Sequence, residues 1–281
     1  MKKYVAEDPE TKHQMALPLV VFLLIQRTQQ QGRLRATAQL IVAALFFGLR
    51  SCEYSEVTGK RMTKKLTIGD VRFFQGTKEV PKTGRYLNLL EYSTSVTITF
   101  ALQKNGQKYA TITQHASGHE VCPVKAWAAI VKRILNYKGT NLSTEVDTVV
   151  DSDGKMSHIS AEEIARHLKK VVTSVGKARL GFDASRVGTH SIRTSFAMML
   201  YLQHVHPSTI MLMGRWKSDA FLLYIRPQVQ QFSSGLSEKM VENDFFTVPT
   251  VDDGPARRNG EQSFQLAQTH ERYRARFSAE N

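Results

Sequence analysis

The sequence predicts a mainly α-helical α+β domain in which a small antiparallel sheet is packed among the helices. Three patterns lead to this fold class. Residues 36–49 are apolar nearly all round, which indicates a helix buried at the centre of the core. Residues 95–102 alternate between apolar and polar side chains, and the Asn-Gly pair at 105–106 predicts a two-residue hairpin turn after that strand. A capping box at residues 160–163 then opens another helix.

The other elements are predicted in the order in which they follow along the chain. They are a buried helix at 19–26, a strand at 64–74, a returning hairpin strand that ends at 114, a helix entered through Pro123, a loop over 137–158, and two or three helices across 189–226. We expect a loose N-terminal segment at residues 1–11, one folded domain at 12–246 and a flexible tail at 247–281.

The chain carries a large positive charge that is expected on the folded domain. Its 281 residues include 38 Lys and Arg against 25 Asp and Glu, which gives a formal net charge of +13. Residues 251–281 contain five acidic and five basic side chains, so the excess lies outside the tail. A basic face of this kind favours a polyanionic partner, either nucleic acid or an anionic membrane surface.

Cysteine content and hydropathy favour an intracellular protein without a membrane anchor. Cys52 and Cys122 are the only cysteines, which argues against a disulfide framework and fits a reducing compartment. The longest apolar run, residues 15–25, contains Pro18 and is too short to cross a bilayer. The run also lacks the small-residue cleavage site of a secretory signal, so we expect a buried helix there.

Residues 189–226 hold several polar side chains among apolar ones. His190 and Arg193 are three apart and project from the same face of a predicted helix. Trp216 lies at a predicted turn, and Tyr224 lies about two turns into the next helix. Guanidinium groups match phosphate oxygens and keep their charge, an indole N–H donates a hydrogen bond, and a phenol beside cations becomes a nucleophile. The set suits transesterification of a phosphodiester by a tyrosine.

Two further groups would complete this chemistry from earlier in the chain. Arg50 follows the central helix and would join Arg193 in neutralising a pentacoordinate transition state. Lys104 stands at the predicted hairpin tip, where it can give a leaving 5′-oxygen its proton. Lys108 and Lys82 are alternatives to Lys104, because both lie on or near the predicted sheet. The arginines take the role that a metal ion would have, so we expect no metal and no other cofactor.

These residues lie in motifs that resemble the catalytic domain of tyrosine recombinases, the phage-integrase family. In "LFFGLRSCEYSEV", Arg50 matches the family's first arginine and Glu53 its acidic partner. The family's H-x-x-R is matched by His190 to Arg193, and Trp216 within "GRW" matches the His-or-Trp position. The segment "MGRWKSDAFLLYIR" is similar to the eukaryotic mobile-element branch of cryptons and DIRS-type elements.

The resemblance covers roughly residues 12–242 and implies site-specific recombination or DNA integration. It makes Tyr224 the nucleophile of a 3′-phosphotyrosyl intermediate, which keeps the bond energy in an ester so that no ATP is required. Arg215, Lys217 and Lys108 are expected to contact DNA. The implied partners are double-stranded DNA and further copies of the chain, as a tetramer on DNA, with no membrane and no small-molecule cofactor. The implied location is the nucleus if the source is eukaryotic.

The departure from the family pattern leaves other functions open. The family usually has an N-terminal core-binding domain, and the residues before 12 are too few to form one, so the chain is expected to be a fragment, a split-gene product or a domesticated remnant. The main alternative is a catalytically inactive DNA-binding protein derived from a mobile-element recombinase. A relaxing enzyme like type IB topoisomerases and a basic RNA-binding module are more distant alternatives.

Single residues also have purely structural explanations. Taken alone, Arg50 would interact with a helix C-terminus, and Trp216 would be a core aromatic residue. His115, His119 and Cys122 have metal-like spacing, but the sequence offers no evident fourth ligand. We therefore predict no metal site there.

Overall fold

The computed structural model describes residues 14–27, 31–59, 63–102, 106, 108–217 and 221–225. Its helices are α1 (Leu19–Arg27), α2 (Gly32–Phe46), α3 (Ser51–Tyr54), α4 (Pro123–Leu135), α5 (Ala161–Val175), α6 (Lys177–Leu180), α7 (His190–Leu202), α8 (Pro207–Gly214) and α9 (Leu222–Ile225), with 3-10 helices at Ile68–Asp70, Gly84–Tyr92 and Ala184–Arg186. Its strands are β1 (Val71–Gln75), β2 (Lys78–Val80), β3 (Ser95–Phe100), β4 (Ala110–His115), β5 (Thr148–Val150) and β6 (Met156–His158). Within these ranges, no helix is both long enough and apolar enough to cross a membrane.

Helix α2 is the central element of the fold, as its apolar sequence predicts. Residues 36–45 are all buried, and helices α1, α4, α5 and α7 pack against it. The ring of Trp127 in α4 meets Phe47 edge-on, with 6.1 Å between ring centres. The helix begins at Gly32 and ends at Phe46, earlier at both ends than predicted. It stops there because Gly48 has a positive φ of 49°, which turns the chain and directs Arg50 away from the helix axis.

A four-stranded antiparallel sheet lies among the helices in the order β2-β1-β3-β4. Val96 and Ile98 are fully buried on one face of β3, which confirms the predicted alternation. On the other face the hydroxyl of Thr97 is 2.8 Å from that of Thr113 across the hairpin. Strand β1 occupies only the second half of the predicted strand, because Ile68–Asp70 forms a 3-10 helix closed by a capping box.

The turn between β3 and β4 differs from the predicted two-residue turn. Such a turn at 105–106 requires Phe100 to lie opposite Thr111, but Phe100 pairs with Ala110. Among the described residues, the pairing of β3 with β4 extends as far as Phe100 and Ala110, and residues 103–105 and 107 of the connection lie outside the described part of the chain. The predicted hairpin is therefore confirmed, while its register is shifted by one residue. Lys104 and its neighbours 103 and 105 lie outside the described residues.

A second, two-stranded sheet interrupts the segment that the sequence predicts as a loop. Strands β5 and β6 are joined by three residue pairs, from Thr148 opposite His158 to Val150 opposite Met156. Helix α5 then starts at the predicted capping box, where the Ser160 hydroxyl accepts from the backbone N–H of Glu163 at 3.2 Å.

Candidate active site

A cavity of about 420 Å³ opens where α3 and α7 begin and where α8 ends. Its lining residues are Leu49, Arg50, Ser51, Cys52, Thr189, His190, Arg193 and Trp216. The structure thus brings together four of the predicted catalytic residues, which come from positions as far apart as 50 and 216. Among the described residues that line the cavity there is no carboxylate, so its wall is cationic and suits an anion.

Arg50 precedes helix α3 and is oriented by Glu53 in two ways. Its backbone N–H donates to Glu53 Oε2 at 2.9 Å, which completes the N-terminal cap of the helix. Its guanidinium Nη1 donates to Glu53 Oε1 at 3.1 Å. The carboxylate is 2% exposed and the Arg50 side chain 20% exposed, so the pair is anchored inside and reaches outward into the cavity.

Arg193 is held from the second turn of α7 by backbone carbonyls and by an indole ring. Its Nη1 donates to the carbonyl of Gly48, and its Nη2 donates to the carbonyl of Gly214 at 2.6 Å. The guanidinium carbon lies 4.0 Å from the ring centre of Trp216. These contacts fix the plane of the guanidinium before any ligand arrives, and they tie the segment after α2 to the turn after α8.

Trp216 is packed between rings while its edge reaches the cavity. It stacks on Phe196 at 6.2 Å and lies tilted against Phe221 at 5.9 Å between ring centres. Gly214 has no room for a side chain, because a Cβ there would overlap the indole ring. Trp216 is therefore partly a core aromatic residue and partly a wall of the cavity. Its packing among rings does not conflict with the predicted catalytic role, which stays a prediction.

His190 is the first residue of α7, and Thr189 beside it also lines the cavity. The histidine is half-buried. The backbone N–H groups of Ser191 and Ile192 already meet the carbonyls of Gly188 and Thr189, so what this end offers an anion is the partial positive charge of a helix N-terminus. His190 and Arg193 share the cavity as their three-residue spacing predicts.

Arg215 differs from its predicted role as a DNA contact. Its side chain is only 2% exposed, and its Nη2 lies 2.8 Å from Glu53 Oε2. Its Nη1 donates to the carbonyl of Phe47 at 3.1 Å, and its guanidinium carbon lies 3.8 Å from the ring centre of Phe100. A buried carboxylate and a buried ring hold the Arg215 guanidinium inside the protein. Arg193 is only 2% exposed as well, but it lines the cavity and Arg215 does not, so the expectation of a DNA-facing Arg215 is wrong.

For three other predicted residues, Tyr224, Lys108 and Lys217, the structure gives the position in the fold or the exposure. Tyr224 lies in the short helix α9, between the buried residues Phe221 and Ile225, and its side chain lies outside the described part of the chain. Lys108 and Lys217 are both exposed, which leaves them able to meet DNA.

Lys82, the third lysine considered for the proton donor, is engaged in the sheet region. Its ammonium donates to the carbonyls of Ile68 and Val71 at 2.8 and 2.5 Å. Burial lowers the pKa of Lys82 below its usual value. A lysine with two carbonyl acceptors is suited to holding the 3-10 helix against β1. Lys104 stays the predicted donor on its position in the sequence, and Lys108 and Lys82 stay its alternatives.

Sequence reasoning missed several residues of the cavity. Ser51, Cys52 and Thr189 line its wall, and the carbonyls of Gly48 and Gly214 hold Arg193. Four of these five residues, all but Gly48, adjoin predicted site residues, and this adjacency is the one signal that could have found them. Backbone carbonyls carry no signal of their own in a sequence.

A cluster with metal-like donors lies elsewhere, around a buried lysine. Oxygen and nitrogen atoms of Glu145, Asp147 and His158 lie within 4.8 Å of one another. The ammonium of Lys65 is 2.6 Å from Glu145, 2.8 Å from Asp147 and 2.8 Å from Glu56. Because this ammonium already stands among the carboxylates, the cluster is an ion-pair network around one amino-acid cation.

No protein-family model matches this sequence, and no curated protein sequence matches it. Solved structures do match. XerH site-specific recombinase, in a post-cleavage complex with palindromic difH substrate, has a TM-score of 0.50 and 18% identity over 80% of this chain and 53% of the XerH chain. The fold is that of a tyrosine-recombinase catalytic domain.

Two further solved structures are similar to the chain. XerA recombinase has a TM-score of 0.45 and 14% identity over 82% of this chain and 67% of its own. The Tn1549 transposon integrase, in complex with transposon right end DNA, has a TM-score of 0.43 and 13% identity over 82% of this chain and 69% of its own. The chain spans about half the length of the XerH chain.

Proposed function

We propose that this protein cleaves and rejoins DNA strands through a 3′-phosphotyrosyl intermediate on Tyr224, as a site-specific recombinase or integrase. One observation carries the proposal. Arg50, His190, Arg193 and Trp216 come from three separate segments and line one cavity with a cationic wall. The recombinase fold, with XerH captured beside its DNA substrate, supports the same function.

The cavity would bind the scissile phosphate. The two guanidiniums of Arg50 and Arg193 would neutralise the charge that builds on the phosphate oxygens in the transition state. Trp216 stacks on Arg193, and its indole N–H would donate to one of the two non-bridging phosphate oxygens. Because the protein holds these groups by its own hydrogen bonds, little reorganisation is needed when the phosphate enters.

Tyr224 would lose a proton as it attacks phosphorus, and Lys104 would give a proton to the leaving 5′-oxygen. The Tyr224 oxygen forms a bond to phosphorus, and its proton passes to His190 or to water. The bond from phosphorus to the 5′-oxygen breaks, and Lys104 protonates that oxygen. Rejoining reverses each step with a 5′-hydroxyl as the attacking group. The ester keeps the bond energy, and the arginines supply the charge stabilisation, so the reaction needs neither ATP nor a metal ion.

The wider setting of the reaction follows from charge and from sequence similarity. The net charge of +13 suits double-stranded DNA, on which several copies would assemble as a tetramer. The exposed lysines Lys108 and Lys217 would contact its backbone. The segment at 213–226 favours a place beside crypton and DIRS-type recombinases, with action in the nucleus if the source is eukaryotic.

The proposal is tested by trapping the covalent intermediate without knowing the target site. Random-sequence DNA duplexes, nicked by limited nuclease treatment, are incubated with the protein and then denatured. A nick just beyond the cleavage site lets the short 5′-hydroxyl fragment diffuse away, so the protein stays attached to the 3′-phosphate. Recovered DNA is sequenced to give the preferred substrate.

The matched control is Tyr224→Phe, which removes one oxygen atom. We expect wild type to yield adducts that share a sequence and Tyr224→Phe to yield none. Equal adduct recovery from both proteins, or none from either, would contradict catalysis by Tyr224. DNA binding without adducts would instead support an inactive protein derived from a recombinase.

A further inference from the structure

Three charged side chains form a continuous row behind the cavity wall: Arg50, Glu53 and Arg215. Glu53 Oε1 meets Arg50 Nη1 at 3.1 Å, and Glu53 Oε2 meets Arg215 Nη2 at 2.8 Å. Each carboxylate oxygen therefore has a guanidinium of its own. Only Arg50 lines the cavity, because the Arg215 and Glu53 side chains are both 2% exposed.

The backbone of Arg215 is held in a conformation that side chains other than glycine seldom adopt. Its φ and ψ are 57° and 43°, in the left-handed region. This conformation is unfavourable by itself, so the surrounding contacts must over-determine it. Those contacts include the Phe47 carbonyl, the Phe100 ring and Arg50, whose Nη2 donates to the Arg215 carbonyl at 3.4 Å. Arg215 thus touches both members of the Arg50–Glu53 pair.

One carboxylate between two guanidiniums can neutralise only one of them. The row as a whole keeps one positive charge, and Arg50 is the member that faces the cavity. Without Arg215, both oxygens of Glu53 would be left to Arg50 in a buried setting, where charge interactions are strong. The pair would then be neutral overall and would attract a phosphate less.

We propose that Arg215 is a positioning residue that holds Glu53 by one oxygen, so that Arg50 stays oriented and keeps a net positive charge toward the scissile phosphate. This inference rests on the function proposed above. It assigns Arg215 to charge placement within the protein, in contrast to direct contact with DNA. Arg215 also ends helix α8, where its left-handed backbone directs its N–H to the carbonyls of Leu212 and Met211, directly beside Trp216.

An ordinary buried ion pair would give Arg215 a role in stability alone. The two roles differ in how they depend on the charge of the substrate. A methylphosphonate at the scissile position replaces one charged oxygen by a methyl group and so removes the negative charge. A purely structural defect slows cleavage of both substrates by the same factor, whereas loss of positive charge at Arg50 slows only cleavage of the charged one.

The experiment measures release of the 5′-hydroxyl fragment in a single turnover from the duplex recovered in the trapping experiment. The duplex carries either a phosphate or a methylphosphonate at the cleaved position. The variants are Arg215→Met, Arg215→Met with Glu53→Gln, and the control Arg33→Met, which breaks an ion pair outside the cavity. Thermal unfolding of each variant is recorded. If Arg215→Met does not fold, Arg215→Gln is used, since it is also neutral but polar.

We expect Arg215→Met to slow cleavage of the phosphate duplex roughly 10- to 100-fold and to slow the methylphosphonate duplex much less. Adding Glu53→Gln should restore part of the loss on phosphate, because Arg50 is then no longer neutralised. Arg33→Met should leave both rates unchanged. Equal slowing on both duplexes, or no recovery in the double variant, overturns the inference while the proposed function stands. Absence of cleavage by wild type overturns both.

Discussion

The guanidinium of Arg193 lies over the ring of Trp216, with its carbon 4.0 Å from the centre of the indole ring. The same guanidinium donates to the carbonyl of Gly214, two residues before that ring. Arg193 therefore binds the turn after α8 through both backbone and side chain. This contact joins the two motifs that the resemblance assigns to one active site, so its loss should affect chemistry more than folding.

Replacing Trp216 tests that contact. We expect Trp216→Ala to slow single-turnover cleavage about 10-fold or more, because a desolvated cation–π contact contributes about 2 kcal/mol. Trp216→Phe keeps a ring but lacks the indole N–H, so its rate should fall between those of wild type and Trp216→Ala. A Trp216→Ala rate equal to that of wild type would show that the ring does not act on the phosphate site.

Gly48 connects the central helix to Arg50, and a substitution there should be costly. A Cβ at this position would stand 2.8 Å from Cδ1 of Phe196, and the φ of 49° disfavours any side chain. We expect Gly48→Ala to lower the unfolding free energy by about 2–4 kcal/mol in urea titration.

The control for Gly48→Ala is Gly76→Ala, which has a similar φ of 60° with no atom near its Cβ position. It should cost only about 1–2 kcal/mol, from backbone strain alone. Equal losses at the two glycines would mean that Phe196 moves aside without cost.

Lys65 joins the segment after α3 to the segment before β5, because its ammonium contacts the carboxylates of Glu56, Glu145 and Asp147. Its side chain is 4% exposed, and that of its partner Asp147 is fully buried. Lys65→Met should lower the unfolding free energy by about 3–5 kcal/mol, since it removes the cation from the buried carboxylate of Asp147 and leaves it the contact with His158 Nδ1 at 3.0 Å. The control Lys132→Met breaks the partly exposed pair with Glu91 and should cost about 1 kcal/mol or less. Similar losses in the two variants would contradict this account.

The pair of Arg33 and Glu163 should make stability depend on acidic pH. The hydrogen bond from Arg33 lowers the pKa of Glu163 below its usual value. A carboxyl group whose pKa is lower in the folded state stabilises the protein above its unfolded pKa, and this stability is lost as pH falls through the folded pKa.

We therefore expect unfolding free energy to fall less between about pH 5 and about pH 3 in Arg33→Met than in wild type, because the Glu163 pKa returns toward its unfolded value of about 4.3. The pKa of Asp151, which the Ser157 hydroxyl and then Arg33 lower, changes in the same direction. Urea titrations at several pH values give the comparison. Arg35→Met, an exposed position on the same helix, is the control and should follow wild type. A parallel pH dependence in Arg33→Met and wild type would contradict the assignment.

Sequence patterns predict the main elements here because each of those elements carries a strong local signal. The all-round apolar helix α2, the alternation in β3 and the capping box at Ser160 are confirmed. The strands β5 and β6 are missed because three residues are too few to show alternation. The shifted register of the β3–β4 hairpin is missed because a strong turn pair does not by itself determine which residues lie opposite each other.

The sequence predicts the meeting of two site residues when both lie on one helix at a fixed spacing. His190 and Arg193 share a face of one helix, so their meeting follows from helical geometry. The buried position of Arg215 does not follow, because its partner Glu53 lies 162 residues earlier in the chain. In the sequence, the adjacent residues Arg215 and Trp216 are both candidates to contact DNA. In the structure, Arg215 has a left-handed backbone, and the two side chains have different partners.

The most direct test of the account is identification of the residue that carries the DNA. The trapped adduct is digested with nuclease and protease, and the peptide bearing a residual nucleotide is sequenced by mass spectrometry. The account predicts a phosphodiester-linked nucleotide on the Tyr224 oxygen, in a peptide that is missing from the Arg50→Met and Arg193→Met proteins. A nucleotide attached to any other residue, or an adduct that forms equally well in those two variants, would contradict it.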